Sequence, residues 1–157
     1  MNFSELFDRA ANLTLAQIGS GEFILQSEKD IQALVFHQAI VLAQESGLPL
    51  DIHAEPARMG KEPDLVLGED EVFVETKLSK AGSGGYSTAL GAWHSDIDKL
   101  RKYKSKWPTA RCIFLAVDEA GYHSSPSSLN FFDPTSEGLR GIWAQVTSAS
   151  SFLLAEI

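Results

Sequence analysis

Residues 63–78 read PDLVLGEDEVFVETKL, and the reading of this stretch decides the fold. Two arms rich in valine, leucine and phenylalanine, Leu65–Leu67 and Val72–Leu78, flank Gly68-Glu69-Asp70-Glu71. That pattern predicts two antiparallel strands joined by a tight turn. Side chains alternate along a strand, so Glu75 and Lys77 share one face while Val74 and Thr76 share the other. An arm that is otherwise VFV has no packing reason to set a glutamate and a lysine on one side near its end. Asp64 opens the opposite arm, where it is placed to face the same cleft. Two carboxylates and one ammonium are therefore expected to converge at a sheet edge. Hard divalent cations such as Mg²⁺ bind through one or two carboxylates, completed by water and substrate phosphates. A lysine beside them stabilises developing negative charge or helps to orient and deprotonate a water. The alternative is plainer: Asp64 as a turn residue, and Glu75–Lys77 as a solvated pair on an edge strand.

Toward the N-terminus, apolar residues at 3, 6, 7, 10, 13 and 15 predict a short helix over roughly Phe3–Ile18, broken by Gly19-Ser20-Gly21. Ser27 is the candidate cap of a second helix running to about residue 46, with Ile31, Leu34, Val35, Ala39 and Leu42 on its apolar face. His37 lies near that face and is expected to be packed. Gly47 and Pro49 end the helix. LPLDIHAEP (48–56) reads as a short strand, and ARMGKEP (57–63) as a loop.

Toward the C-terminus, AGSGGYS (81–87) is a glycine-rich loop. Ser87 is the candidate cap of a helix carrying Leu90, Trp93, Ile97, Leu100 and Tyr103 or Trp107, stopped by Pro108. RCIFLAVD (111–118) predicts a central buried strand. Residues 119–138 are loop-rich, and QVTSASSFLLAEI (145–157) predicts one final strand. The order helix, strand, strand, strand, helix, strand gives a single α/β domain with a mixed central sheet flanked by helices.

Composition removes several classes of function. A lone cysteine, Cys112, excludes a disulfide framework within the chain and reads as a small buried apolar residue. No apolar run approaches the roughly 20 residues needed to span a bilayer, and the N-terminus lacks the pattern of a secretory signal; a cytoplasmic setting is expected. His37, His53, His94 and His123 have no zinc-like spacing with one another or with the cysteine. There is no G-x-S-x-G for a serine hydrolase. Gly82-Ser83-Gly84-Gly85 lacks the spacing of a nucleotide-binding phosphate loop, and reads as a connector.

The net charge of −8 runs against nucleic-acid binding, but its distribution does not. Eight of the 13 basic residues fall between 77 and 111, where only Asp96 and Asp98 oppose them; that segment is net +6 and the remainder net −14. Screening makes the local field the relevant one for a phosphate. Lys99, Arg101, Lys102, Lys104 and Lys106 lie off the apolar face of the helix, and Lys80 borders the glycine-rich loop. These are candidates for phosphate contacts, or else a solvated face with pairs such as Asp98 and Lys102. Trp93, Trp107 and Trp143 are candidates to stack on bases, although Trp93 falls on the apolar stripe and reads as core.

Pro63-Asp64, ten intervening residues, then Glu75-Thr76-Lys77 resembles the PD-(D/E)XK nuclease-like superfamily, which includes restriction endonucleases and Holliday junction resolvases. The predicted element order also resembles that family's core, and the likeness covers roughly residues 27–118. It implies a restriction endonuclease-like fold and a metal-dependent nuclease. Asp64 and Glu75 would be ligands of Mg²⁺ or Mn²⁺, Thr76 would contribute its backbone carbonyl, and Lys77 would be the catalytic lysine. Glu28 is the best-placed match to a further acidic ligand on the first core helix, with Glu45 the weaker one. The implied chemistry is phosphodiester hydrolysis by a metal-activated water. DNA is the expected substrate and RNA the alternative; a homodimer is compatible with the family. The competing expectation is an idle nuclease fold, whose acidic surface binds a protein partner.

Overall fold

The computed structural model describes residues 1–56, 62–80, 86–145, 147 and 150–157, with the backbone alone over 86–89. In chain order the elements are α1 (Phe3–Ser20), α2 (Glu28–Ser46), β1 (Ile52–Ala54), β2 (Leu65–Leu67), β3 (Val72–Ser79), α3 (Tyr86–Lys106), β4 (Arg111–Asp118), β5 (Trp143–Gln145) and β6 (Ser151–Glu156). The fold is α/β: a mixed six-stranded sheet, ordered β1-β2-β3-β4-β6-β5, flanked by three helices. Only β3 and β4 run parallel, joined through α3; the other pairings are antiparallel.

The 65–67/72–78 hairpin forms as predicted, with Leu65 opposite Val74 and Leu67 opposite Val72. Gly68 turns it in a left-handed conformation (φ 67°), where an added Cβ would lie 2.7 Å from the Phe3 ring; glycine alone fits. α2 begins after Ser27, whose backbone N–H donates to Asp30 Oδ2 at 2.9 Å, and ends at Gly47 in the left-handed region. RCIFLAVD is the central strand β4, buried between β3 and β6 on both faces, as its unbroken apolar run requires.

Strand alternation divides the core in two. Leu65, Leu67, Val72, Val74, Ile113, Leu115 and Val117 pack against α1 and α2. Val66, Phe73, Cys112, Phe114 and Ala116 pack against α3 through Trp93, Ile97, Leu100 and Tyr103. Trp93 is 1% exposed and meets Phe114, Phe132 and His123, so it is a core residue and offers no stacking surface.

Four expectations need correction. Ser87 lies inside α3, which already begins at Tyr86. His37 is exposed, because the period of α2 turns Val35 and Ala39 inward and His37 outward. LPLDIHAEP forms a strand only over Ile52–Ala54. The C-terminal region gives two strands where one was expected: β6 pairs with β4, and β5, which begins at Trp143, pairs with β6 as the edge strand of the sheet. The glycine-rich loop at 81–85 and residues 57–61 of the predicted ARMGKEP loop lie outside the described residues. Among the described residues, no helix is long and apolar enough to cross a membrane.

Candidate active site

The register of the hairpin sets Asp64 one residue beyond Leu65, opposite the position of Glu75. The ladder of β2 stops there, and Pro63 has no N–H with which to continue it. The Asp64 side chain takes over: its Oδ2 accepts from the Thr76 backbone N–H at 2.6 Å and from Thr76 Oγ1 at 2.7 Å. From α2, buried Gln32 donates through Nε2 to the Asp64 carbonyl at 2.6 Å, and the Glu55 N–H donates to the same oxygen at 3.0 Å. Asp64 is thus fixed by both neighbouring strands and by α2. Gln32 and the Thr76 side chain are positioning groups that the sequence reading missed.

Glu75 and Lys77 point toward α3, with Phe73 one step before them. Successive same-face positions of a strand are about 6.7 Å apart, and positions three or four apart on a helix are separated by a comparable 5–6 Å. The two periods therefore mesh rung by rung. Phe73 stacks on Tyr103 with ring centroids 4.9 Å apart, Lys99 Nζ lies 2.7 Å from Glu75 Oε1, and Asp96 Oδ2 lies 2.7 Å from Lys77 Nζ. Lys77 also donates to Glu28 Oε2 at 2.7 Å, from the first residue of α2. Asp96 bridges the two ammonium groups, with its Oδ1 3.5 Å from Lys99.

Four carboxylates (Glu28, Asp64, Glu75 and Asp96) thus surround two lysines. Glu75 is only 1% exposed. Burial, reinforced by the charge of Asp64, pushes its carboxyl from the usual 4.5 up to about 8, against the opposing pull of Lys99. Among the described residues, Lys99 is the cation that answers Glu75, 2.7 Å from its Oε1. Burial works against the Lys77 ammonium, but Asp96 and Glu28 outweigh it and hold its pKa above the ordinary lysine range. Among the described residues, the buried Tyr103 hydroxyl has no hydrogen-bond partner; burial and the charges of Glu75, Asp96 and Asp64 hold it in the neutral form.

The residues predicted for the site are thus brought together unevenly. Asp64, Glu75, Thr76 and Lys77 converge, and Glu28 joins them through Lys77. Glu45 lies at the far end of α2, roughly 25 Å along the helix. The predicted basic face disperses. Lys99 turns inward, and also donates to the Glu62 carbonyl at 3.2 Å. Lys80 donates to the Leu25 carbonyl at 2.8 Å, tying the end of β3 to the segment before α2. Arg101 pairs with Asp98 at 2.7 Å, Lys104 donates to the Ala110 carbonyl at 2.7 Å, and Lys106 lies over the Trp107 ring. Lys102 is exposed. Sequence periodicity gave Asp96 no role and set Lys99 on a phosphate-facing surface; both belong to the carboxylate cluster.

Asp64 and Glu75 are oxygen donors of the type that could hold a hard divalent cation. Asp64 and Glu75 are adjacent, Glu75 is buried against a like charge, and it already draws a cation to itself. Among the described residues there is no group of three or more His, Cys, Asp or Glu side chains arranged to hold a metal ion. Comparison of the chain with protein-family models, curated proteins and solved structures finds no match.

Proposed function

We propose that this site hydrolyses phosphodiester bonds in nucleic acid, DNA in the first instance, on a PD-(D/E)XK nuclease-like core. The observation that carries the reading is the apposition of Asp64 and Glu75 across the hairpin, with Lys77 on the same face as Glu75. The run α2-β1-β2-β3-α3-β4 supports it, because it is the element order of the restriction endonuclease-like core.

Asp64 and Glu75 would hold Mg²⁺ or Mn²⁺, with the Thr76 backbone carbonyl as a further donor. A cation so bound supplies an acidified water and neutralises phosphate charge. Lys77, committed to its ammonium form, acts by stabilising negative charge on the phosphate rather than by removing a proton. Glu28 and Asp96 aim that ammonium, and Thr76 and Gln32 hold Asp64 against the repulsion of Glu75.

The test is cleavage of plasmid and single-stranded DNA with Mg²⁺ or Mn²⁺, for the parent chain and Asp64→Ala. The expected result is cutting that stops in EDTA and falls at least about a hundredfold in the variant. Undiminished cutting by Asp64→Ala would remove the site. A chain that never cuts but binds a protein tightly would favour the idle-fold reading.

A further inference from the structure

Lys99 has a place in the cluster that a phosphate-contacting surface lysine does not need. Its ammonium is 2.7 Å from Glu75 Oε1 and 3.2 Å from the carbonyl of Glu62, two residues before Asp64. It therefore touches both arms of the hairpin at the point where Asp64 and Glu75 face each other. Its side chain is 15% exposed, and its third contact, Asp96 Oδ1, lies farther off at 3.5 Å. Lys77 differs: its two carboxylates, Glu28 and Asp96, each lie at 2.7 Å, and neither is Glu75 or Asp64.

An ammonium and a divalent cation cannot both sit on Glu75 Oε1, since like charges at contact distance repel strongly in a buried setting. We propose that Lys99 is a positioning residue: it serves as the resident counter-ion of Glu75 and gives up that place when a divalent cation binds, staying tethered to Asp96. This rests on the metal-binding reading above. Lys99 offsets the repulsion between Asp64 and Glu75 whenever Glu75 is ionised and no metal is present, and the same exchange frees one ammonium beside the substrate.

The test uses the intact chain without substrate. Trace acetylation followed by mass spectrometry compares the reactivity of Lys99, Lys77 and the exposed Lys102, with and without Mg²⁺. Thermal unfolding of the same samples reports whether Mg²⁺ binds. A lysine with a merely structural role would be slowed by a stabilising ligand, so the sign of the change is decisive. The expected result is a several-fold faster labelling of Lys99 in Mg²⁺, with Lys77 remaining slow, and no such change in Asp64→Ala. If Mg²⁺ raises the unfolding temperature while Lys99 labelling is unchanged or slower, the counter-ion exchange is wrong and the metal site stands. If Mg²⁺ neither stabilises the chain nor alters labelling, both readings fall.

Discussion

Glu75→Gln is expected to make the metal-free protein more stable while abolishing the proposed nuclease activity. A carboxyl that titrates near 8 when folded, against 4.5 ordinarily, disfavours folding once it is ionised. Between those two pH values the folded chain holds a proton that the unfolded chain has released, so stability falls as pH rises through that window. Above about 8 the cost is fully present, and below 4.5 it is gone. Glutamine keeps the shape and carries no charge. The raised value already includes the opposing pull of Lys99, so the net stabilisation is at most about 4 kcal/mol at pH 8. Urea unfolding in EDTA at pH 5 and pH 8 measures it: the variant's advantage grows with pH, and its own profile is flatter than the parent's. Cleavage drops at least about a hundredfold, because the exchanged carboxylate is a proposed metal ligand. A variant that is less stable at pH 8, or one that keeps the parent's slope, would contradict this account of Glu75.

Lys77→Ala is expected to act in the opposite direction on stability and in the same direction on activity. The ammonium answers two carboxylates, and its removal leaves Asp96 partly buried with only the more distant Lys99. Breaking a buried ion pair costs about 3–5 kcal/mol. Glu28 is 44% exposed and water replaces much of its share, so about 1–3 kcal/mol is expected here. Because the folded pKa of Lys77 is raised, its contribution is complete below the ordinary lysine range and is lost only as pH rises through the higher folded value. The destabilisation is therefore flat between pH 5 and pH 8, unlike that of Glu75. Unfolding at the two pH values separates them, and Lys102→Ala, at an exposed position, should change stability by no more than about 0.5 kcal/mol. Cleavage by Lys77→Ala should fall by about two to three orders of magnitude, as for loss of one charge-stabilising donor. A variant as stable and as active as the parent would show that the Lys77 ion pairs are incidental.

The site was only half legible in the sequence, because part of it follows from local structure and part from tertiary packing. Asp64, Glu75 and Lys77 could be read because strand alternation is local: two residues along β3 is enough to put a carboxylate and an ammonium on one face. Ser27 as a helix start and RCIFLAVD as a central strand were legible for the same reason, since capping and an unbroken apolar run are properties of short segments. Asp96 and Lys99 were not, because the depth at which α3 lies along β3 is a tertiary quantity. It is set by packing of Phe73 against Tyr103 and by Trp93 in the aromatic cluster, neither of which has a sequence signature. For Thr76 the resemblance implied only a backbone-carbonyl role; its N–H and hydroxyl hold Asp64 because β2 ends there, which is a tertiary fact. Of the C-terminal hairpin, β6 carries buried Phe152, Leu153 and Ala155, whereas β5 is a three-residue edge strand with two exposed positions. So short and solvated a strand presents no periodicity to read.

The most direct test of the central claim is the position of a bound Mn²⁺ ion in crystals of this chain, located by anomalous scattering. The peak is expected within coordination distance of carboxylate oxygens of both Asp64 and Glu75, about 2.0–2.2 Å from each, and is expected to be missing in crystals of Asp64→Ala. A peak elsewhere, or one that survives in the variant, would contradict that claim.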